Sequence, residues 1–166
     1  IMAVCVPAQA SEITPEVTAA PTVTAVPVQP TAAPARKTGL VKEGKKYVYY
    51  DKKGNKLKNK WKTIHKNRYY FDANGKAVTG GKRIGKYIYV FNLEGKLIRP
   101  TKAKIVKVGK TSYYVDTKGH AYVGFFKLGN RLYRGDVKGR LTKNKTVSNV
   151  TFNNKGYANN DVNAKL

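Results

Sequence analysis

Short runs of aromatic and β-branched residues recur along the chain, "YVYYD", "RYYFD", "IYVFN", "SYYVD", "LYRGD" and "NVTFN", and each stops at an Asp or Asn. Runs of this kind, bounded by turn-forming residues, predict β-strands. The stops are Asp51, Asp72, Asn92, Asp116, Asp136 and Asn153, each followed three residues later by Gly54, Gly75, Gly95, Gly119, Gly139 or Gly156. Asp or Asn at the first place of a type I turn bonds its side chain to the backbone two residues on, and glycine takes the left-handed place cheaply. The carboxylates therefore read as turn formers rather than catalytic acids, with each Asp-x-x-Gly closing a β-hairpin. A second glycine ten residues earlier, Gly44, Gly85, Gly109 or Gly129, marks a turn leading into the hairpin. No stretch sustains a helical period. The pattern predicts an all-β solenoid of about six stacked hairpins, spanning residues 39–161.

Alternation within a strand sends neighbouring side chains to opposite faces. Six and four residues before each turn glycine lie Val48/Tyr50, Tyr69/Phe71, Tyr89/Phe91, Tyr113/Val115, Tyr133/Gly135 and Val150/Phe152, which read as the core. Seven and five residues before it lie Tyr47/Tyr49, Arg68/Tyr70, Ile88/Val90, Ser112/Tyr114, Leu132/Arg134 and Asn149/Thr151. This second face changes character from copy to copy, as a face does when packing does not dictate it. Ligand contacts are expected there.

The unit resembles the cell-wall-binding repeat of Gram-positive surface proteins, the family of choline-binding and glucan-binding repeats, whose pattern is Gly-Trp, a turn, Trp-Tyr-Tyr-Phe, then Asp-x-x-Gly-Lys. The resemblance implies a β-hairpin solenoid that tethers proteins to the bacterial envelope. In the choline-binding branch, two aromatics of one hairpin and the opening Trp of the next form a cage for a quaternary ammonium. Carried onto this chain, the complete set is Tyr47, Tyr49 and Trp61, with a partial set of Tyr114 and Phe125; Tyr70 stands beside Arg68, where the first aromatic would be. Gly81, Ile88 and Leu132 also replace family aromatics. The alternative for Tyr47, Tyr49 and Trp61 is plain packing between stacked hairpins.

Charge sharpens the picture. The chain carries 33 Lys and Arg against 9 Asp and Glu, a net charge of +24. Such an excess argues for an anionic partner. Lys45, Lys46, Lys66, Arg68, Lys86, Lys110 and Arg131 cluster at one turn of the units, and Lys76, Lys96 and Arg140 at the other. Stacking would align them into basic stripes suited to a linear polyanion such as teichoic acid.

The ends of the chain place the protein. "IMAVCVPAQA", residues 1–10, reads as the tail of a secretion signal ending in a small-x-small cleavage pattern, and is too short to span a membrane. It contains the single Cys5, so the mature chain would hold no disulfide. Residues 11–38 form a Pro/Thr/Ala-rich linker of the kind that cannot build a core, and 162–166 a short tail.

"GGKRIGKY" carries part of a phosphate-binding loop, but Tyr87 stands where Ser or Thr is required and no helix follows. His65 and His120 fall in different copies without an acid or thiol cluster and read as solvated turn residues. No catalytic constellation, metal site or cofactor is implied. The expected function is a secreted, non-enzymatic wall-binding module whose partner is a wall polymer, teichoic acid or polysaccharide. Two alternatives stay open: the targeting module of a larger wall-active enzyme, and an extracellular nucleic-acid binder, against which the export signal argues.

Overall fold

The computed structural model describes residues 35–158. The expected leader, most of the linker and the tail lie outside them. Twelve strands form six antiparallel hairpins, each its own two-stranded sheet, and no helix occurs among the described residues. The pairs are β1 (Gly39–Glu43) with β2 (Lys46–Tyr50), β3 (Lys60–Ile64) with β4 (Asn67–Phe71), and β5 (Gly80–Ile84) with β6 (Tyr87–Phe91). They continue with β7 (Lys104–Val108) and β8 (Thr111–Val115), β9 (Gly124–Leu128) and β10 (Arg131–Gly135), and β11 (Lys145–Val147) and β12 (Val150–Phe152).

The two kinds of turn exchange the roles expected of them. The hairpins close at the earlier glycine, where Gly44-Lys45 separates the paired residues Glu43 and Lys46 and its counterparts do the same. Gly44 has φ +60° and Lys45 does not share the positive angle, the pattern of a type II′ turn that matches strand twist. His65-Lys66 and Ser148-Asn149 reach the same reversal with both residues at positive φ, as in type I′.

Each Asp-x-x-Gly lies at the far end of the second strand. It reverses the chain over one antiparallel bridge, such as Phe71 with Ala77, and sends the returning segment to the preceding copy. Its chemistry is as expected: Asp72 Oδ1 accepts the N–H groups of Asn74 and Lys76 at 2.9 and 3.0 Å, and all six copies repeat the device.

The returning segment stitches the copies together. The N–H of Ala77 donates to Tyr47 O at 2.7 Å, Leu97 to Arg68, Ala121 to Ile88, Leu141 to Ser112 and Ala158 to Leu132. Each donor lies two residues past a turn glycine and each acceptor seven before the previous one. That approach leaves little room: a Cβ on Gly95 would lie 2.8 Å from Ala77 Cβ, and one on Gly139 2.5 Å from Ala121 Cβ. Glycine there serves close packing as well as its positive φ.

The predicted core face is buried in every copy, with Val48, Phe71, Phe91, Val115 and Phe152 wholly inside; only Tyr50 and Tyr89 remain half-buried. The second face is not the free surface expected. Ile88, Val90, Ser112 and Leu132 are buried, because the core face of the next copy lies against it. Tyr47 and Tyr49 thus pack with Tyr69 and Phe71, Val90 with Tyr113 and Val115, and Leu132 with Val150 and Phe152. In the last copy, where no further hairpin is described, Thr151 is exposed. One strand therefore serves two interfaces.

Candidate functional site

The aromatic slot opening each hairpin faces forward along the solenoid. Trp61 packs its ring on Tyr70 (5.3 Å between centroids), Tyr89 (4.9 Å) and Phe91 (5.7 Å). Tyr47 and Tyr49 lie instead in the cluster with Tyr69 and Phe71, and Lys62 Nζ rather than Trp61 sits over the Tyr49 ring. The predicted three-ring set does not converge, since alternation along β3 points Trp61 towards the following copy and Lys62 towards the preceding one. The partial set separates likewise. Tyr114 stacks on Phe126 at 4.7 Å and meets Tyr122 at 4.8 Å, whereas Phe125 faces Phe152 at 6.1 Å and Arg134.

Where Trp61 has its counterpart in the third copy stands Gly81. The Tyr113 ring takes that space, and its hydroxyl accepts the Gly81 N–H at 3.0 Å.

A ladder of rings instead runs from the second copy to the fourth. The Arg68 guanidinium lies 4.3 Å over Trp61, Trp61 meets Tyr89, and Tyr89 meets His120 edge-on at 4.8 Å. His120 then stacks on Tyr87 at 4.1 Å with an interplanar angle of 9°. This corrects the reading of His120 as a solvated turn residue: it bridges to Tyr89, is half-buried, and its Nδ1 lies 3.0 Å from Asp116 Oδ2. His65 does sit exposed in a hairpin turn. Burial pushes the Asp116 carboxyl up, but the N–H groups of His120 and Lys118 and the His120 ring outweigh it and hold it below its ordinary value.

Beside the ladder opens a groove of about 430 Å³ lined by Arg68, Tyr87, Tyr89, Arg99, Thr117, Lys118 and His120. Of these only Arg68 is among the ligand-contact and basic positions expected from sequence. The signal that brings His120 to Tyr89 is a register rule: the residue after a turn glycine lies opposite the residue six before the previous one, pairing Val48 with Lys76, Tyr89 with His120, Tyr113 with Arg140 and Tyr133 with Tyr157.

The predicted basic positions divide into two groups. Lys96 and Arg140 are paired, with Glu94 and Asp136, each at 2.7 Å. Lys46 donates to the Thr79 hydroxyl, and Arg131 lies 4.3 Å over the Tyr157 ring. Lys45, Lys66, Lys86 and Lys110 are exposed on the two-residue turns, and Lys76 is exposed beyond Gly75; none of them has an ion-pair partner among the described residues. No group of three His, Cys, Asp or Glu able to hold a metal occurs among the described residues, nor a helix long and apolar enough to cross a membrane.

Comparison with known proteins bears on the whole array. The profile of the cell wall binding repeat matches residues 59–77. No curated protein sequence matches the chain. The multimodular pneumococcal cell wall endolysin from phage Cp-1, solved with choline, is 23% identical over 74% of this chain and 37% of its own, with a TM-score of 0.51. Choline binding protein F from Streptococcus pneumoniae is 26% identical over 74% of this chain and 40% of its own, with a TM-score of 0.47. A truncated alternansucrase from Leuconostoc mesenteroides is 23% identical over 76% of this chain and 11% of its own, with a TM-score of 0.47. The chain thus spans well under half the length of each. The copy at residues 59–77 thus matches the cell wall binding repeat, and the other copies share its hairpin, its Asp-x-x-Gly or Asn-x-x-Gly turn and its inter-copy bonding.

Proposed function

We propose that the chain is a secreted, non-enzymatic wall-attachment module that grips an anionic polymer of the teichoic acid kind. The observation that carries this reading is the row of exposed, carboxylate-free lysines at successive hairpin turns, Lys45, Lys66, Lys86 and Lys110. A fold holding +24 against its own repulsion gains most from a partner that brings regularly spaced negative charge. The separation of Tyr47 and Tyr49 from Trp61 weighs against a quaternary-ammonium cage at that place.

A second reading has the same module addressing a wall-active enzyme whose catalytic part lies in another domain, and the greater length of the structural relatives favours it. A competition experiment tests the attachment chemistry. Protein sedimented with isolated walls is challenged with soluble poly(glycerol phosphate) or with choline. Release by the polyanion and not by choline is expected; release by choline alone would refute the reading.

A further inference from the structure

We propose that the groove between the third and fourth copies is a subsite for a phosphate group of a phosphopolyol or phosphosaccharide chain. The inference rests on the wall-attachment reading and adds the place and chemistry of contact. Three cations, Arg68, Arg99 and Lys118, border one groove of about 430 Å³, and none of their side chains has a carboxylate or hydrogen-bond partner among the described residues. Asp116, which bonds the groove residue His120, is already engaged by the N–H groups of its own turn and by the His120 ring. One copy later, Arg140 stands where His120 does here, and Asp136 neutralises it at 2.7 Å. The groove therefore gathers three cations free of carboxylates, Arg68 from the second copy with Arg99 and Lys118, beside the ring ladder.

The ladder gives the groove its geometry. The Arg68 guanidinium lies 4.3 Å over the Trp61 ring, a cation–π contact that holds it while leaving its N–H donors for an acceptor. A phosphodiester presents two charged non-bridging oxygens to a planar fork and a point charge together, and its neighbours along the chain supply the further charge that three cations call for. The volume admits the phosphate with an adjoining polyol or sugar unit. A quaternary ammonium would meet repulsion from three cations. Base stacking also fits poorly, because Tyr87, the exposed ring of this groove, already carries His120 at 4.1 Å and has Lys86 Nζ over it at 5.1 Å.

The single tryptophan, Trp61, lies under Arg68 and reports on the groove. The full chain is titrated with short poly(glycerol phosphate), following Trp61 emission and, in parallel, equilibrium dialysis. Saturable binding is expected, weakened about tenfold or more in the Arg99→Gln/Lys118→Gln variant. Both side chains are exposed, so circular dichroism of this variant should match the parent. Lys145→Gln/Lys155→Gln, with the same loss of charge in the last copy, should change affinity less than about twofold. Equal losses in both variants, or none in the first, would overturn the subsite. So would tighter binding of choline, or of a thymidine oligonucleotide with the same dependence on Arg99 and Lys118. If the parent sediments with walls but shows no probe binding, the subsite fails and the attachment reading survives. If it does not sediment, the attachment reading itself fails.

Discussion

Replacing Phe71 by Ala probes the principle that holds the copies together. The side chain is wholly buried, and its ring lies 6.2 Å from both Tyr49 of the first copy and Tyr69 of its own. Leu40, Tyr47, Leu57, Ile64 and Ala77 complete the cluster. Removing a ring so enclosed loses its transfer energy and leaves a cavity, about 3–5 kcal/mol together. Phe125 is the internal control: the same residue type, 40% exposed, with Phe152 as its ring neighbour, so Phe125→Ala should cost about 1 kcal/mol. Urea unfolding followed by circular dichroism measures both. Because stability in a repeat array sums over neighbouring interfaces, amide exchange should also localise the damage. The Ala77 N–H, bonded to Tyr47 O, should lose more protection than the Ala158 N–H at the far end. Equal costs for the two Phe substitutions, or a cost below about 1 kcal/mol for Phe71→Ala, would refute inter-copy burial as the source of stability.

Gly81→Ala places a Cβ 2.7 Å from the Tyr113 ring and 2.9 Å from Lys138 O, so it should destabilise by about 1–3 kcal/mol, read as a lowered urea midpoint; a neutral outcome would mean the ring moves freely. Glu43 accepts from Lys56 and Tyr50, which hold its carboxyl at about 2, below its ordinary value of 4.5. A depressed carboxylate contributes stability above the ordinary value and loses it as pH falls towards the folded one, so thermal melts should weaken between pH 4.5 and about 2, and Glu43→Gln should flatten that part of the curve. Asp72→Ala removes the acceptor of two backbone N–H groups and should cost about 1–2 kcal/mol, whereas Asp72→Asn keeps the acceptor oxygen and should cost less; equal losses in thermal melts would deny the side chain its turn role.

Much of the fold is legible within a single repeat. Asp72 and Gly75 announce their turn because an Asx side chain and a left-handed glycine act locally, and Tyr69 and Phe71 announce a buried face by alternation. What escapes the repeat depends on the next one. Ile88 and Leu132 are buried because another hairpin covers them, which no pattern inside the copy records. Both turns carry turn-forming residues, so composition does not say which one closes the hairpin. The site suffers most. Trp61 finds its partners at Tyr89 and Phe91, and His120 finds its partners at Tyr87 and Tyr89, in neighbouring copies. Only the offset between one turn glycine and the strand before the previous glycine brings these residues together.

The most direct test is the affinity of the purified protein for bacterial walls before and after chemical removal of their phosphodiester polymers, at low and at raised salt. The account predicts binding that falls steeply with salt on intact walls and is largely lost on stripped ones. Binding that survives stripping unchanged, with no salt dependence, would contradict it.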